Sequence, residues 1–192
     1  MRSKPYDLYL IIGPSGTGKT TVFNMLVKHG MFLPAISYTT RAMRKGESEK
    51  NPYYFVSKET FAEMEAADLF VEHVVYNNHK YGFSKTELSE ALERSHVGAI
   101  VESSGAGQLA ALFPGRVKTI FFNPPSLEEL ERRMVARKDA SENIAMRLAL
   151  VEEELKYKQQ ADWVVNTDCS VEEVFYQVLS YIDTCQNEGT PL

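Results

Sequence analysis

The sequence predicts an α/β fold: a central parallel sheet flanked by helices, with a small, mainly β insertion and a helical lid. Three observations predict it. Short apolar runs at 8–12, 97–102, 117–122 and 163–166 alternate with helical segments, the rhythm of strands buried on both faces. The glycine-rich stretch Gly13-Pro14-Ser15-Gly16-Thr17-Gly18-Lys19-Thr20 lies directly between the first run and a helical segment. From about Ser37 to Tyr81 the rhythm breaks, and strands follow one another with a single short helix among them.

In chain order, Leu8-Tyr9-Leu10-Ile11-Ile12 reads as a buried parallel strand, and Thr21 to Val27 as a helix with Val22, Phe23, Leu26 and Val27 on one side. His29-Gly30 ends that helix and Pro34 starts a new segment. Residues 35–40 read as a short strand, 41–52 as a polar loop, and Tyr53-Tyr54-Phe55-Val56 as a strand by its aromatic and β-branched content. Ser57 is an N-cap for a short helix that buries Phe61 and Met64. Residues 69–76 read as a strand, 77–82 as a turn, and about 84–94 as a helix. The run 97–102 is a second buried strand, and Ser103-Ser104-Gly105-Ala106-Gly107 a small-residue loop leading into a short helix. A strand at 117–122 precedes a helix that starts at Pro124-Pro125-Ser126 and runs toward Arg137. A charge-dense helix over about 141–159, a strand at 163–166 and a closing helix over 171–182 complete the chain. The expected organisation is one domain over 1–192, with a core of 1–34, 84–125 and 160–192, an insertion at 35–83 and a lid at about 126–159.

Composition narrows the function classes. Hydrophobic residues at 44% and charged residues at 24% are ordinary for a soluble globular domain of 192 residues. A net charge of −5 argues against a nucleic-acid binder, so any bound anion must be held by a local cluster of cations. Cys169 and Cys185 do not form a C-x-x-C pair and read as thiols of a reducing compartment. The N-terminal residues carry no apolar signal core, and the apolar runs are too short to span a bilayer. The expectation is a cytoplasmic protein without membrane or nucleic-acid partners; oligomeric state is not legible.

The chemistry centres on the glycine-rich stretch, which fits G-x-x-x-x-G-K-[ST] at every fixed position in a strand–loop–helix context. Glycines let the backbone wrap a phosphate chain with its N–H groups turned inward, and the helix N-terminus adds partial positive charge. Lys19 would reach the β- and γ-phosphates of a nucleotide, and Thr20 would hold Mg²⁺. Two further cation clusters stand out. Arg41 and Arg44 lie three residues apart in one loop, where two guanidiniums can clamp a phosphate with forked hydrogen bonds, and Tyr53 and Tyr81 are hydroxyl donors in the same insertion. Arg132, Arg133, Arg137 and Lys138, with Arg147 on the next helix, form the second, on the expected lid. Both clusters also have an ordinary reading as solvated surface charge, the second paired with Glu128, Glu129 and Glu131.

Gly13 to Thr20, Ser37-Tyr38-Thr39-Thr40-Arg41-Ala42-Met43-Arg44-Lys45-Gly46-Glu47, Tyr53-Tyr54-Phe55-Val56, Phe70-Val71-Glu72, Tyr81-Gly82 and the segment from Pro124 to Arg133 occur in an order and spacing that resembles guanylate kinase, over about residues 7–183. The resemblance implies a P-loop kinase that phosphorylates GMP or dGMP with ATP and Mg²⁺. It implies that Gly13, Pro14, Ser15, Gly16, Thr17, Gly18, Lys19, Thr20 and Thr21 hold the ATP phosphates and that Asn166 lies beside the adenine. It implies that Ser37, Arg41, Arg44, Tyr53, Glu72 and Tyr81 hold the acceptor nucleotide, with Glu72 facing its base. Lys19, Arg41, Arg133, Arg137 and Arg147 would act on the phosphate in flight. Glu102 would lie near the phosphates and the Mg²⁺ held by Thr20, reaching the metal through water.

Two positions depart from the family pattern at the base. Phe83 stands where a Ser or Thr usually follows the Tyr-Gly pair, and Glu102-Ser103-Ser104 replaces an Asp-x-Asp, so Ser104 stands in the place of the second acid. The lid is one residue shorter than usual. Losing a polar partner at a buried base edge typically costs about 1–3 kcal/mol. An altered acceptor therefore stays open: another or modified base, or a sugar phosphate. So does a non-catalytic module that binds phosphopeptides.

Overall fold

The strand β1 (Leu8–Ile12) is apolar and buried at every position, so it needs a layer on each face. Both layers are present in the computed structural model, which describes residues 6–44, 46–50, 52–76, 78–137 and 141–187, without the side chains of residues 52, 72, 76, 142 and 143. After β1 come α1 (Lys19–Lys28), β2 (Leu33–Pro34), β3 (Ser37–Thr39), β4 (Ser48–Glu49), β5 (Pro52–Phe55), α2 (Lys58–Ala66), β6 (Phe70–Tyr76) and β7 (His79–Ser84). The chain continues through α3 (Lys85–Arg94), β8 (Val97–Ile100), α4 (Ser103–Leu112), β9 (Val117–Asn123), α5 (Leu127–Ala136), α6 (Ser141–Leu155), a 3₁₀ turn (Lys156–Gln159), β10 (Trp163–Asn166) and α7 (Val171–Asn187).

The central sheet runs β10-β9-β1-β8-β2, parallel throughout, with Leu10 opposite Ala99 on one side and Thr119 on the other. The side-chain alternation of β1 divides the core. Tyr9 and Ile11 join Leu26 of α1 and Val178 and Ile182 of α7 on one face, while Leu8, Leu10 and Ile12 join Leu88, Leu92 and Leu109 of α3 and α4 on the other. Gly98 fits this packing because the Phe32 ring lies against it; a Cβ there would stand 2.2 Å from a ring carbon. A third cluster, Leu130, Met134, Ile144 and Val151, joins α5 to α6.

The second sheet runs β4-β5-β3-β7-β6 and mixes parallel with antiparallel pairs. Here the segment read as a turn over 77–82 is instead mostly strand. His79–Ser84 is paired with β6 along its length and with β3 at Tyr81 and Gly82, and Asn78 makes the reversal at φ 62°. Pairing with two neighbours fixes His79 to Ser84 as strand where local propensity gives only a weak signal. Similarly, Ser103 to Gly107 is already helix: burial of Gly105, Ala106 and Leu109 outweighs the poor propensity of glycine. The charge-dense helix keeps α geometry to Leu155 and tightens to 3₁₀ over its last four residues, and the closing helix runs on to Asn187. Phe83 belongs to a strand of the second sheet yet is buried in the core cluster of the first.

Candidate active site

The glycine-rich stretch leaves β1 with Gly13 at φ 134°, where a Cβ would stand 2.5 Å from the Phe122 carbonyl oxygen. It enters α1 with Gly18 at φ 88° in the N-cap position and no side chain capping the helix. The first amides of α1 are therefore open to an anion. Thr17 closes the loop by donating its hydroxyl to Pro14 O at 2.8 Å. Lys19 folds back over the loop and donates Nζ to the carbonyls of Gly13 and Pro14, the latter at 2.8 Å. Burial pulls the Lys19 pKa down, against the stabilising charges of Glu154 and Glu102.

Those two carboxylates are themselves perturbed. Burial raises the Glu102 pKa, with Lys19 opposing. Burial, then repulsion from Glu102, pushes Glu154 up to about 7, and among the described residues its buried Oε2 has no hydrogen-bond partner. Together they face an open cleft of about 520 Å³ whose first wall is Gly13, Ser15, Lys19 and Thr20. The opposite wall is Ser37, Arg41, Arg44, Glu47, Tyr53 and Tyr81 from the second sheet and its loop. Val74, Phe83, Ile100 and Val101 give an apolar side, and Arg137, the C-cap of α5, and Arg147 of α6 close it.

On the second wall Arg41 is buried, and its guanidinium lies 5.3 Å from the Tyr53 ring centre and 5.6 Å from that of Phe55. Its Nη1 and Nη2 donate to Glu47 Oε2 and Oε1 at 3.0 and 2.8 Å. Burial disfavours the Arg41 charge, but the Glu47 carboxylate more than restores it, and the same hydrogen bonds hold Glu47 below the usual carboxylate range. Tyr53 packs edge-on against Tyr81 at 5.6 Å, and burial raises the Tyr53 phenol pKa. Arg44 is exposed; its backbone N–H donates to Glu47 Oε2 at 2.7 Å.

This cleft, with a phosphate loop on one wall and paired arginine and tyrosine side chains on the other, lies within the stretch that matches the family model described as Guanylate kinase, residues 6–185. The chain belongs to the guanylate kinase family. Curated guanylate kinases resemble it over most of their length. That of Pasteurella multocida is 36% identical over 180 residues, 91% of this chain and 84% of the relative. That of Protochlamydia amoebophila is 39% identical over 186 residues, 94% and 91%. The crystal structure of guanylate kinase from Anaplasma phagocytophilum superposes with a TM-score of 0.78 at 27% identity, covering 97% of this chain and 88% of that one. The protein is thus an ATP-dependent nucleoside monophosphate kinase, and the reading as a non-catalytic peptide-binding module is set aside.

Several residues singled out from the sequence stand apart from the cleft wall. Arg133 donates Nε to Glu129 at 2.7 Å and Nη2 to Thr167 O at 3.2 Å, next to Asn166, whose side chain accepts from Asn123. Ser104 is exposed on the first turn of α4 and does not line the cleft. Glu72 lies opposite Phe83 in the β6–β7 register; its side chain falls outside the described residues, as does Lys138. Pro14, Gly16, Thr17 and Gly18 shape the loop, and Thr21 is exposed on the first turn of α1. Two charged residues of the cleft had no assigned role, Glu47 and Glu154. Glu154 follows Arg147 by seven residues on one helix, a same-face spacing that could have marked it.

The donor set suits a metal that arrives with a nucleotide. Thr20 and Glu102 line the same cleft with oxygen donors, the type Mg²⁺ requires. Among the described residues, no group of three or more His, Cys, Asp or Glu could hold a metal by itself.

Proposed function

We propose that this enzyme transfers the γ-phosphate of Mg-ATP to GMP or dGMP. The observation that carries the reading is one cleft bounded by the Lys19 loop on one side and by Arg41, Arg44, Tyr53 and Tyr81 on the other. Lys19 and the loop amides from Gly13 to Thr21 bind the donor phosphates, with Asn166 at the adenine. Arg41, Arg44, Tyr53 and Tyr81 bind the acceptor phosphate. Ser37 and Glu72 address the base, with Phe83 as an apolar neighbour and Ser104 at the position of the missing acid. Bound Mg²⁺, reached by Thr20 and through water by Glu102, supplies neutralising charge at the donor phosphates. Arg137 and Arg147 add charge where the phosphate is transferred, so the chain needs alignment and electrostatics rather than a strong general base. Arg133 joins them only if it leaves Glu129. The insertion at 35–83 and the lid at about 126–159 close over the two nucleotides and exclude water. The same reading makes it a cytoplasmic enzyme of purine nucleotide metabolism whose partners are small nucleotides.

The apolar wall of Val74, Phe83, Ile100 and Val101 favours a second reading of the base: weaker discrimination for guanine, or a different monophosphate. The test is a panel of ribo- and deoxynucleoside monophosphates with Mg-ATP, following ADP. Dominance of GMP and dGMP supports the first reading. Dominance of another monophosphate overturns it and makes Phe83 the first candidate determinant; Ser104 joins it only if closure brings the start of α4 to the base, in which case Ser104→Asp should shift the preference toward GMP.

A further inference from the structure

Arg41 is held in an unusual degree of detail. A guanidinium has five N–H donors arranged on two forked edges and one remaining corner. Glu47 takes the end edge with both of its oxygens, Nη1 to Oε2 at 3.0 Å and Nη2 to Oε1 at 2.8 Å. The Ala42 carbonyl takes the other hydrogen of Nη1 at 2.8 Å. The rings of Tyr53 and Phe55, two residues apart on β5, lie near its planar group. What remains is one complete fork, Nε–H with the second Nη2–H, for which no partner is found among the described residues. Glu47 is in turn fixed to the loop: its Oε2 accepts the Arg44 N–H at 2.7 Å, and its own N–H donates to Arg44 O at 3.1 Å.

We propose that Glu47 is a positioning residue: by occupying the end edge of Arg41 it presents the Nε–Nη2 edge to the acceptor phosphate as a ready bidentate donor. The inference rests on the reading of Arg41 as an acceptor-phosphate ligand. A carboxylate beside a dianion binding site needs a reason to be there, since its charge opposes the phosphate at a few ångströms. Charge balance for a buried arginine is one reason; fixing the plane of the fork is the other. The two predict opposite signs when the charge is removed. If Glu47 only balances charge, neutralising it strengthens acceptor binding. If it fixes the fork, neutralising it lets the guanidinium turn and weakens acceptor binding despite the gain in net positive charge.

The experiment measures steady-state kinetics of the full chain with saturating Mg-ATP and varied GMP, for wild type, Glu47→Gln, Arg41→Lys and the double variant. Glu47→Gln is expected to lower kcat/KM for GMP about tenfold, as for a lost charge-assisted hydrogen bond, while the KM for ATP moves by less than about twofold. In the Arg41→Lys background there is no planar fork to orient, so adding Glu47→Gln should change kcat/KM by less than about twofold. An increase or no change in kcat/KM for GMP in the single Gln variant overturns the inference. An equal loss in both backgrounds also overturns it, since that makes Glu47 a brace for the loop alone. Glu47→Asp keeps the charge but withdraws the carboxylate by one methylene, and decides the point should the Gln variant not fold: positioning predicts a loss, charge balance predicts wild-type behaviour. Wild-type kinetics in Arg41→Lys would instead refute the acceptor-site reading itself, and Glu47 with it.

Discussion

Glu154→Gln should stabilise the nucleotide-free protein, and only at neutral to alkaline pH. Glu154 sits on α6 with one carboxylate oxygen buried and without a hydrogen-bond partner among the described residues, facing Glu102 and Lys19. Burial first, then Glu102, raises its pKa from an ordinary 4.5 to about 7, with Lys19 pulling the other way. The native state therefore binds this proton more tightly than the unfolded chain does. Between those two pKa values stability falls as pH rises: the contribution is complete below the unfolded pKa and is lost as pH climbs through the folded one. At about 1.4 kcal/mol per unit the shift corresponds to about 3 kcal/mol, and water reaching the partly exposed side chain trims this to about 2 kcal/mol. Glutamine keeps the neutral shape at every pH, so the variant should match wild type near about pH 5 and exceed it by about 2 kcal/mol near about pH 8. For a chain of 192 residues that is a rise in Tm of about 4–8 °C. Thermal melts of both proteins without nucleotide at the two pH values measure it. A gain of equal size at both, or a loss at the higher pH, would refute the argument that the cost of ionising a buried carboxyl beside Glu102 is the source.

Lys19→Met should reduce kcat/KM about a thousandfold or more in an ADP-coupled assay, because it removes the one loop cation placed to follow charge on the transferred phosphate. Gly98→Ala should cost about 1–3 kcal/mol in urea unfolding, because the added Cβ meets the Phe32 ring at 2.2 Å, and Phe32→Leu should recover part of the loss.

How much of this was legible in the sequence differs by the kind of interaction. The central sheet was legible because β1, β8 and β9 carry apolar runs that only burial on both faces explains, and those runs are local signals. Strand β7 was not, because His79 to Ser84 owes its conformation to two neighbours distant in sequence, and the short strands β2 and β4 exist only as partners of β8 and β5. The phosphate loop was legible because its glycines answer to backbone geometry at fixed spacing: Gly13 has no room for a side chain and Gly18 holds a left-handed conformation. Arg41 and Arg44 were legible as a pair of cations, but their difference was not. One is buried against two aromatic rings and the other is exposed, a distinction made by β5 and invisible in an R-x-x-R spacing.

The acidic partners were the least legible part of the site, and they explain how an acidic chain holds an anion-binding cleft. Lys19, Arg41, Arg44, Arg137 and Arg147 line one cavity, and unopposed they would repel one another across it. Glu47, Glu102 and Glu154 line the same cavity. They do so in two different ways. Glu47 is matched to Arg41 by two hydrogen bonds and stays ionised, so that pair is settled before any nucleotide arrives. Glu102 and Glu154 face the ammonium of Lys19, and burial pushes both toward the neutral form. On the proposed reading the acceptor wall is thus built in advance, whereas the donor wall holds two buried carboxyls that are pushed toward the neutral form beside Lys19.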